Sequence, residues 1–260
     1  MLKQRVITAV IAFAVLLVVL FVVPPVVAAV VIAIVILAGA WEWSGLFGKS
    51  GSMSRVVYVA AIGALMVVVS LQLAAQKELV LQIAVIWWLC ALVWTFFFPT
   101  KIPAAVNWLA GMLVLVPLHV ALVLLYLADP AILLFALLIV WVADSGAYFA
   151  GKKFGRVKLA PAVSPGKTWE GVIGGLIAVV LLAIGRSLWF ETDLAVLIPF
   201  CIAVACLSIV GDLTVSMFKR NAGVKDSGKL FPGHGGVLDR VDSVASAAPL
   251  VALGVGWAGL

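Results

Sequence analysis

The chain has 260 residues, of which 66% are hydrophobic and 11% are charged, and its mean hydropathy is +1.30. Soluble domains carry about 25% charged residues, so this composition excludes an ordinary soluble protein and predicts an integral membrane protein. The net charge of +6 would suggest nucleic acid in a soluble chain. In a membrane protein, basic residues mark cytoplasmic segments instead, and we expect no nucleic-acid partner.

Apolar stretches long enough to cross a bilayer predict nine membrane-spanning α-helices. The first follows a basic start and is expected to be retained, because no small-residue cleavage site comes after its apolar run. The close spacing of the third, fourth and fifth spans leaves open whether one of them is re-entrant. The predicted spans are Val6–Val23, Val26–Phe47, Val56–Ala75, Leu79–Phe98, Trp108–Leu127, Ala131–Ala150, Thr168–Trp189, Leu194–Phe218 and Val241–Leu260.

The basic residues sort to one side of this arrangement. If the N-terminus is cytoplasmic, 15 of the 17 Lys and Arg residues lie in cytoplasmic segments, and only Lys77 and Arg186 lie on or near the other side. The positive-inside rule therefore predicts a cytoplasmic N-terminus and a C-terminus on the opposite side of the membrane. We expect that membrane to be the cell inner (plasma) membrane. Without an internal repeat or linker, residues 1–260 are expected to form a single all-α polytopic membrane domain.

Several polar or reactive residues are assigned structural roles. The three cysteines lie in apolar runs without metal-ligand partners nearby, and we interpret them as packing residues. Glu42, flanked by two tryptophans at a membrane boundary, is interpreted as an interfacial anchor rather than a catalyst. His119 stands alone in an apolar span and is expected to be a hydrogen-bonded core residue.

Two acidic residues lie within predicted spans, where a carboxylate costs roughly 2.5–3.5 kcal/mol. Asp144 in the sixth span is interpreted as a cavity-lining group, with a buried aspartate bonded to neighbours such as Tyr148 as the alternative. Asp212 lies near the cytoplasmic end of the eighth span, and helical spacing places Ser216 and Lys219 on its face. This face suits a metal ion and phosphate, although an intrahelical Asp–Lys arrangement is also open.

Two further aspartates, Asp239 and Asp242, lie three residues apart at the start of the ninth span. Either alone would be favoured by the helix dipole, but together with Asp212 they would repel one another unless a cation lay between them. Oxygen ligands without cysteine suit Mg²⁺. Mg²⁺ beside basic residues is typical of phosphoryl or nucleotidyl transfer, and the basic residues nearby are Lys219, Arg220, Lys225, Lys229, His234 and Arg240.

The segment before the seventh span contains Gly166, Lys167 and Thr168, which suggests a P-loop. We reject that interpretation because the leading glycine would fall at Pro161 and no strand is expected before the motif. A lysine and the hydroxyls of Ser164 and Thr168 remain ahead of a helix N-terminus, where an anion is stabilised.

The stretch from Ser216 to Asp242 contains a pattern with many fixed positions. Its residues are Ser216, Phe218, Lys219, Arg220, Lys225, Asp226, Gly228, Phe231, Pro232, His234, Gly235, Gly236, Val237, Asp239, Arg240, Val241 and Asp242. This pattern resembles the complete signature of the phosphatidate cytidylyltransferase family, also called the CDP-diacylglycerol synthases, with no departure within it. Similarity extends over about residues 144–243, because the segments 144–148, 164–171 and 211–213 also resemble motifs of that family.

The resemblance implies a dimeric, Mg²⁺-dependent membrane enzyme that converts CTP and phosphatidate into CDP-diacylglycerol and pyrophosphate at the cytoplasmic face. It also implies a potassium ion beside the magnesium. By the same resemblance Asp212, Asp239 and, as a third candidate, Asp242 would be metal ligands. The expected catalytic residues are Asp212, Asp239, Lys219, Arg220 and His234, and the expected substrate-binding residues are Ser216, Asp144, Lys167, Ser164, Lys225 and Arg240.

Two other functions remain open at this point. A CTP-dependent lipid-alcohol kinase would share a similar C-terminal region, and it would release CDP rather than pyrophosphate. A cation or proton transporter would also place acids within helices, but it would not need the glycine-rich segment around His234 or the many basic residues at one face.

Overall fold

The computed structural model describes residues 2–48, 51–228, 235–256 and 258. Within these ranges the chain folds into nine α-helices, a short 3₁₀ turn at Gly45–Phe47 and one β-hairpin. The helices are α1 (Leu2–Phe21), α2 (Pro25–Ser44), α3 (Ser52–Ser70), α4 (Ala74–Phe96), α5 (Ala104–Ala128), α6 (Pro130–Phe154), α7 (Trp169–Phe190), α8 (Leu194–Asn221) and α9 (Leu238–Gly254), and the strands are β1 (Lys158–Ala160) and β2 (Ser164–Thr168).

In the described part of the chain, seven helical segments are long and apolar enough to cross a membrane: α2 with its 3₁₀ turn, and α3 to α8. Helix α1 contributes a shorter apolar stretch, Val10–Phe21, and α9 has 17 residues with charged side chains near its start. Large apolar side chains such as Val26, Val67 and Leu181 are exposed on the outside of the bundle, as lipid-facing positions require. The prediction of a helical integral membrane protein is confirmed.

Helix α9 lies at the centre of the bundle, in contact with α2, α4, α5, α6 and α8. It is rich in small and polar residues because protein, rather than lipid, surrounds it. The Ser246 hydroxyl, for example, is buried and donates hydrogen bonds to the carbonyl oxygens of Leu207 (2.7 Å) and Ser243 (3.0 Å). A Cβ at Gly211 would collide with Ser246 Oγ and the Asp242 carbonyl oxygen, so this glycine lets α8 and α9 approach closely.

Helices α6 and α7 pack against each other along a row of small residues. A Cβ at Gly174 would collide with Ala150, and one at Gly146 would collide with Ala178. Small residues of this kind let two membrane helices bring their backbones together. This close packing holds Asp144 of α6 near the residues that immediately precede α7.

The segment between α6 and α7 forms an antiparallel hairpin, in which Lys158 pairs with Thr168 and Ala160 pairs with Ser164. The expectation that no strand precedes Lys167 was wrong, and the fold is therefore not entirely α-helical. The hairpin satisfies backbone groups that would otherwise lack partners between two helices. It ends at Thr168, whose hydroxyl accepts a hydrogen bond from Gly171 N (3.2 Å) and caps α7.

Candidate active site

The predicted site residues that the structure describes gather at one end of the helical bundle. The C-terminal parts of α2, α6 and α8 meet the N-terminal parts of α7 and α9 there. A cavity of about 460 Å³ opens between α6, α7, α8 and the hairpin, a volume typical of small-molecule sites. Its charged or hydroxyl-bearing lining residues are Asp144, Tyr148, Lys152, Ser164, Lys167, Thr168 and Asp212.

An ion pair between α8 and the hairpin crosses this cavity. Lys167 Nζ lies 2.7 Å from Asp212 Oδ2, and both side chains are about one-quarter exposed. The Ser216 hydroxyl, one helical turn beyond Asp212, donates a hydrogen bond to Asp212 Oδ1 (3.1 Å). The expected Asp212–Ser216 face of α8 is therefore present, but the lysine that pairs with Asp212 comes from β2.

A second ion pair joins α8 to the start of α9. Lys219 Nζ lies 2.7 Å from Asp239 Oδ1 and 3.8 Å from Asp242 Oδ2. The other oxygen of Asp239 accepts hydrogen bonds from the backbone N–H groups of Ser227 and Gly236, both at 2.9 Å. Burying two opposite charges is tolerated when further hydrogen bonds satisfy them. Lys219 therefore interacts with aspartates of α9, rather than forming the intrahelical pair with Asp212 that the sequence left open.

Glu42 belongs to the same end of the bundle, although the sequence interpretation assigned it to the membrane interface. That interpretation was wrong, because Glu42 is only 9% exposed and accepts hydrogen bonds from Ser227 Oγ (2.8 Å), Val237 N (3.0 Å) and Leu238 N (2.8 Å). The signal in the sequence was a carboxylate inside an apolar span, the same energetic argument that singled out Asp144.

The remaining predicted residues take varied positions. Asp144 is accessible from the cavity that it lines and interacts electrostatically with Lys167, Asp212 and Arg240.

Arg220 links the hairpin to the end of α8. It donates from Nε to the carbonyl oxygen of Val163 (3.3 Å) and from Nη1 to that of Val224 (3.2 Å). Lys225 and Arg240 are exposed. His234 and Lys229 lie outside the described residues.

The core role expected of His119 agrees with the structure, because this residue is buried with its Nε2 3.5 Å from Ser70 Oγ. The cysteines agree only in part. All three are free thiols, but Cys201 alone among them is buried, whereas Cys90 and Cys206 are exposed and do not pack inside the bundle.

The groups at this end of the bundle that could bind a metal ion include the carboxylates of Asp212, Asp239 and Asp242. Among the residues that the structure describes, no three His, Cys, Asp or Glu side chains are grouped closely enough to hold a metal ion by themselves. Mg²⁺ does not need such a group, because it is usually bound by one or two carboxylates, water and substrate phosphates. The oxygen donors of these three aspartates therefore suit Mg²⁺ better than zinc, which prefers sulfur and nitrogen ligands.

An apolar cleft of about 360 Å³ adjoins the polar cavity. It lies between α4, α7, α8 and the hairpin, and it shares Leu159, Val172 and Ile209 with the polar cavity. The end of the bundle thus offers charged and apolar surfaces side by side.

Together these features define a polytopic membrane protein with a cavity lined by lysine and aspartate side chains at the ends of its helices. The chain belongs to the cytidylyltransferase family, whose model matches residues 3–256. It is 42% identical to the phosphatidate cytidylyltransferase of Pseudomonas aeruginosa, over 99% of each chain, and 37% identical to that of Haemophilus influenzae, over 96% of each. A relative of the same name from Staphylococcus saprophyticus is 44% identical over 46% of each chain. These matches confirm the resemblance found in the signature.

Proposed function

We propose that this protein is a phosphatidate cytidylyltransferase, which transfers CMP from CTP to phosphatidate and yields CDP-diacylglycerol and pyrophosphate. Relatives with that name match the chain over almost its whole length. The observation that carries the proposal is the cavity in which Lys167 and Asp212 meet, beside an apolar cleft. One substrate is a water-soluble anion and the other an anionic lipid, and the two adjoining surfaces match that pair.

In this reaction a phosphate oxygen of phosphatidate forms a bond to the α-phosphorus of CTP. The bond from that phosphorus to the oxygen bridging to the β-phosphate breaks, and pyrophosphate leaves with the electron pair. Both reactants are anions, so positive charge must offset their repulsion. Lys167 and Lys219 supply ammonium groups at the site, and the nucleophile, already an oxyanion, needs little help from a general base.

Asp212, Asp239 and Asp242 would hold Mg²⁺ together with substrate phosphates, and the ion would supply positive charge where the phosphate oxygens gain charge. Ser216 fixes the orientation of Asp212 through its hydroxyl. Gly236 N and Ser227 N fix Asp239 in the same way. Ser164 and Lys167 on the hairpin and Asp144 on α6 line the cavity, where they would contact the substrates.

We further propose nine membrane crossings, a cytoplasmic N-terminus, a C-terminus on the opposite side and a cytoplasmic active site in the inner membrane. The alternation of the helices supports this arrangement, because even-numbered helices end and odd-numbered helices begin where the site lies. The basic residues of the cytoplasmic set that the structure describes, such as Lys152, Lys219 and Arg240, lie near those same ends. Reporter fusions after α8 and after residue 260 test the topology, with cytoplasmic and external signals expected respectively.

The activity is tested with purified protein in mixed micelles of detergent and phosphatidate, supplied with CTP and Mg²⁺. We expect pyrophosphate and CDP-diacylglycerol as products. Release of CDP would instead identify a lipid kinase, and ion flux into vesicles without CTP would identify a transporter. We also propose a homodimer, as the family resemblance implies, which mass measurement of the detergent-solubilised protein tests.

A further inference from the structure

Glu42 is a buried carboxylate that does not line the cavity between α6, α7 and α8. It lies near the end of α2, and within the described part of the chain no Lys, Arg or His lies within 4.0 Å of its carboxylate. Its hydrogen-bond partners come instead from Ser227, Val237 and Leu238, which are 185 to 196 residues away in the chain. A carboxylate that accepts N–H groups at a helix start is stabilised by the helix dipole.

The contacts of Glu42 and Asp239 meet at one residue. Ser227 donates from its backbone N–H to Asp239 Oδ2 (2.9 Å) and from its hydroxyl to Glu42 Oε2 (2.8 Å). The residues at the start of α9 also donate hydrogen bonds to both carboxylates. Gly236 N donates to Asp239, and Val237 N and Leu238 N donate to Glu42. The two carboxylates therefore hold both ends of the segment that runs from Ser227 to the start of α9.

Two glycines of the segment make this arrangement sterically possible. A Cβ at either Gly228 or Gly236 would collide with the carboxylate of Glu42. A larger residue at either position would push this carboxylate away from the N–H and O–H groups that it contacts. Such close approach on both flanks indicates a built contact rather than a chance neighbour.

We propose that Glu42 is a positioning residue for the cytidylyl transfer, an inference that rests on the function proposed above. Glu42 fixes the segment that leads into α9 to the end of α2, and it thereby sets where α9 begins. Asp239, one residue after Leu238, and Asp242, one turn further, receive their positions from that start. Their contacts with Lys219 depend on it, so a carboxylate on α2 acts on the reaction through aspartates on α9.

The test compares Glu42→Gln with the matched control Glu78→Gln, an exposed glutamate on α4. The amide keeps the size of the side chain but loses its charge and one acceptor, so at least one N–H donor is left without its partner. We expect kcat per folded molecule to fall roughly ten- to hundredfold, the size of effect that loss of a hydrogen bond to a charged group can have. The KM for phosphatidate should stay within about twofold of the wild type.

Hydrogen exchange provides a readout that does not depend on activity. We expect faster exchange at the amides of Val237 and Leu238 in Glu42→Gln, with unchanged exchange in α6 and in the control. A kcat per folded molecule equal to that of an active wild type would overturn the proposal, and so would unchanged exchange at these two amides. If the wild type itself forms no CDP-diacylglycerol, it is the proposed function that fails.

A second variant covers the case in which Glu42→Gln does not fold. Ser227→Ala removes the hydroxyl that reaches Glu42 but retains the N–H that reaches Asp239. We expect a kcat roughly three- to tenfold below that of the wild type, as for loss of one hydrogen bond. Wild-type kcat in a folded Ser227→Ala protein would then contradict the role assigned to Glu42.

Discussion

Lys219 Nζ lies 2.7 Å from Asp239 Oδ1, and both side chains are more than nine-tenths buried. This contact joins the last turn of α8 to the first turn of α9, at the end of the bundle where the cavity opens. Removing one member of a buried pair leaves an uncompensated charge, which costs more than the pair contributes when it is intact.

Replacing the lysine should therefore destabilise the protein strongly. We expect Lys219→Met to lower the free energy of unfolding by about 3 kcal/mol and to abolish activity, because Asp239 loses its partner. Lys219→Met combined with Asp239→Asn should recover part of that stability without recovering activity. Thermal unfolding in detergent measures both, and a double variant less stable than Lys219→Met would contradict this account.

The pair between Lys167 and Asp212 should behave differently, because both side chains are about one-quarter exposed. Solvent screens a partly exposed pair more than a buried one. We expect Lys167→Met to lower the unfolding temperature less than Lys219→Met does, and to lower kcat/KM by at least about a hundredfold, since an ammonium group facing the anionic substrates is lost. The matched control is Lys158→Met, an exposed lysine on β1 of the same hairpin, which should retain activity.

Asp239→Asn tests the assignment of that residue to the metal centre. We expect the protein to fold but to be less stable, because Lys219 loses the charge of its nearest partner. Pyrophosphate release per folded molecule should fall below about one-hundredth of the wild-type rate, because charge at the proposed metal centre is lost while the side chain keeps its size. Size-exclusion chromatography checks the fold, and a coupled pyrophosphate assay checks the rate. Robust turnover by this variant would remove Asp239 from the metal centre.

Chelation tests the proposed Mg²⁺ requirement. Treatment with EDTA should abolish pyrophosphate release, and added Mg²⁺ should restore it, because the donors at the site are carboxylate oxygens and the substrates bring phosphates. Zinc should not substitute for Mg²⁺, since zinc prefers sulfur or nitrogen ligands and the residues proposed to bind the ion offer carboxylate oxygens. Full activity in excess EDTA would contradict the requirement.

The contact between α8 and α9 can be tested at Gly211. A Cβ there would meet Ser246 Oγ and the Asp242 carbonyl oxygen, so we expect Gly211→Ala to destabilise the protein by about 1–3 kcal/mol. Gly185→Ala is the control, because a Cβ at that helical position has no atom within 4 Å. The control should be neutral or slightly stabilising, and equal unfolding temperatures for the two variants would be evidence against the tight contact.

Composition and the spacing of residues along the chain were sufficient to predict part of this structure. Composition alone identified a membrane protein, because a bilayer admits only a narrow range of residues over most of the chain. Helical spacing correctly placed Ser216 beside Asp212, since residues four apart share a face of one helix. The signature in residues 216–242 was sufficient to indicate the family, because its fixed spacing lies within one continuous stretch of the chain.

The partners of the charged groups were decided only by the tertiary structure. Lys219 was expected on the face of Asp212, yet its nearest carboxylate is on α9, and Asp212 is paired with Lys167 of an unforeseen hairpin. Glu42 was assigned to the membrane interface, although it contacts residues near position 237. Spacing along one helix predicts which side chains share a face, but contacts between residues nearly 200 positions apart arise only from the packing of several helices.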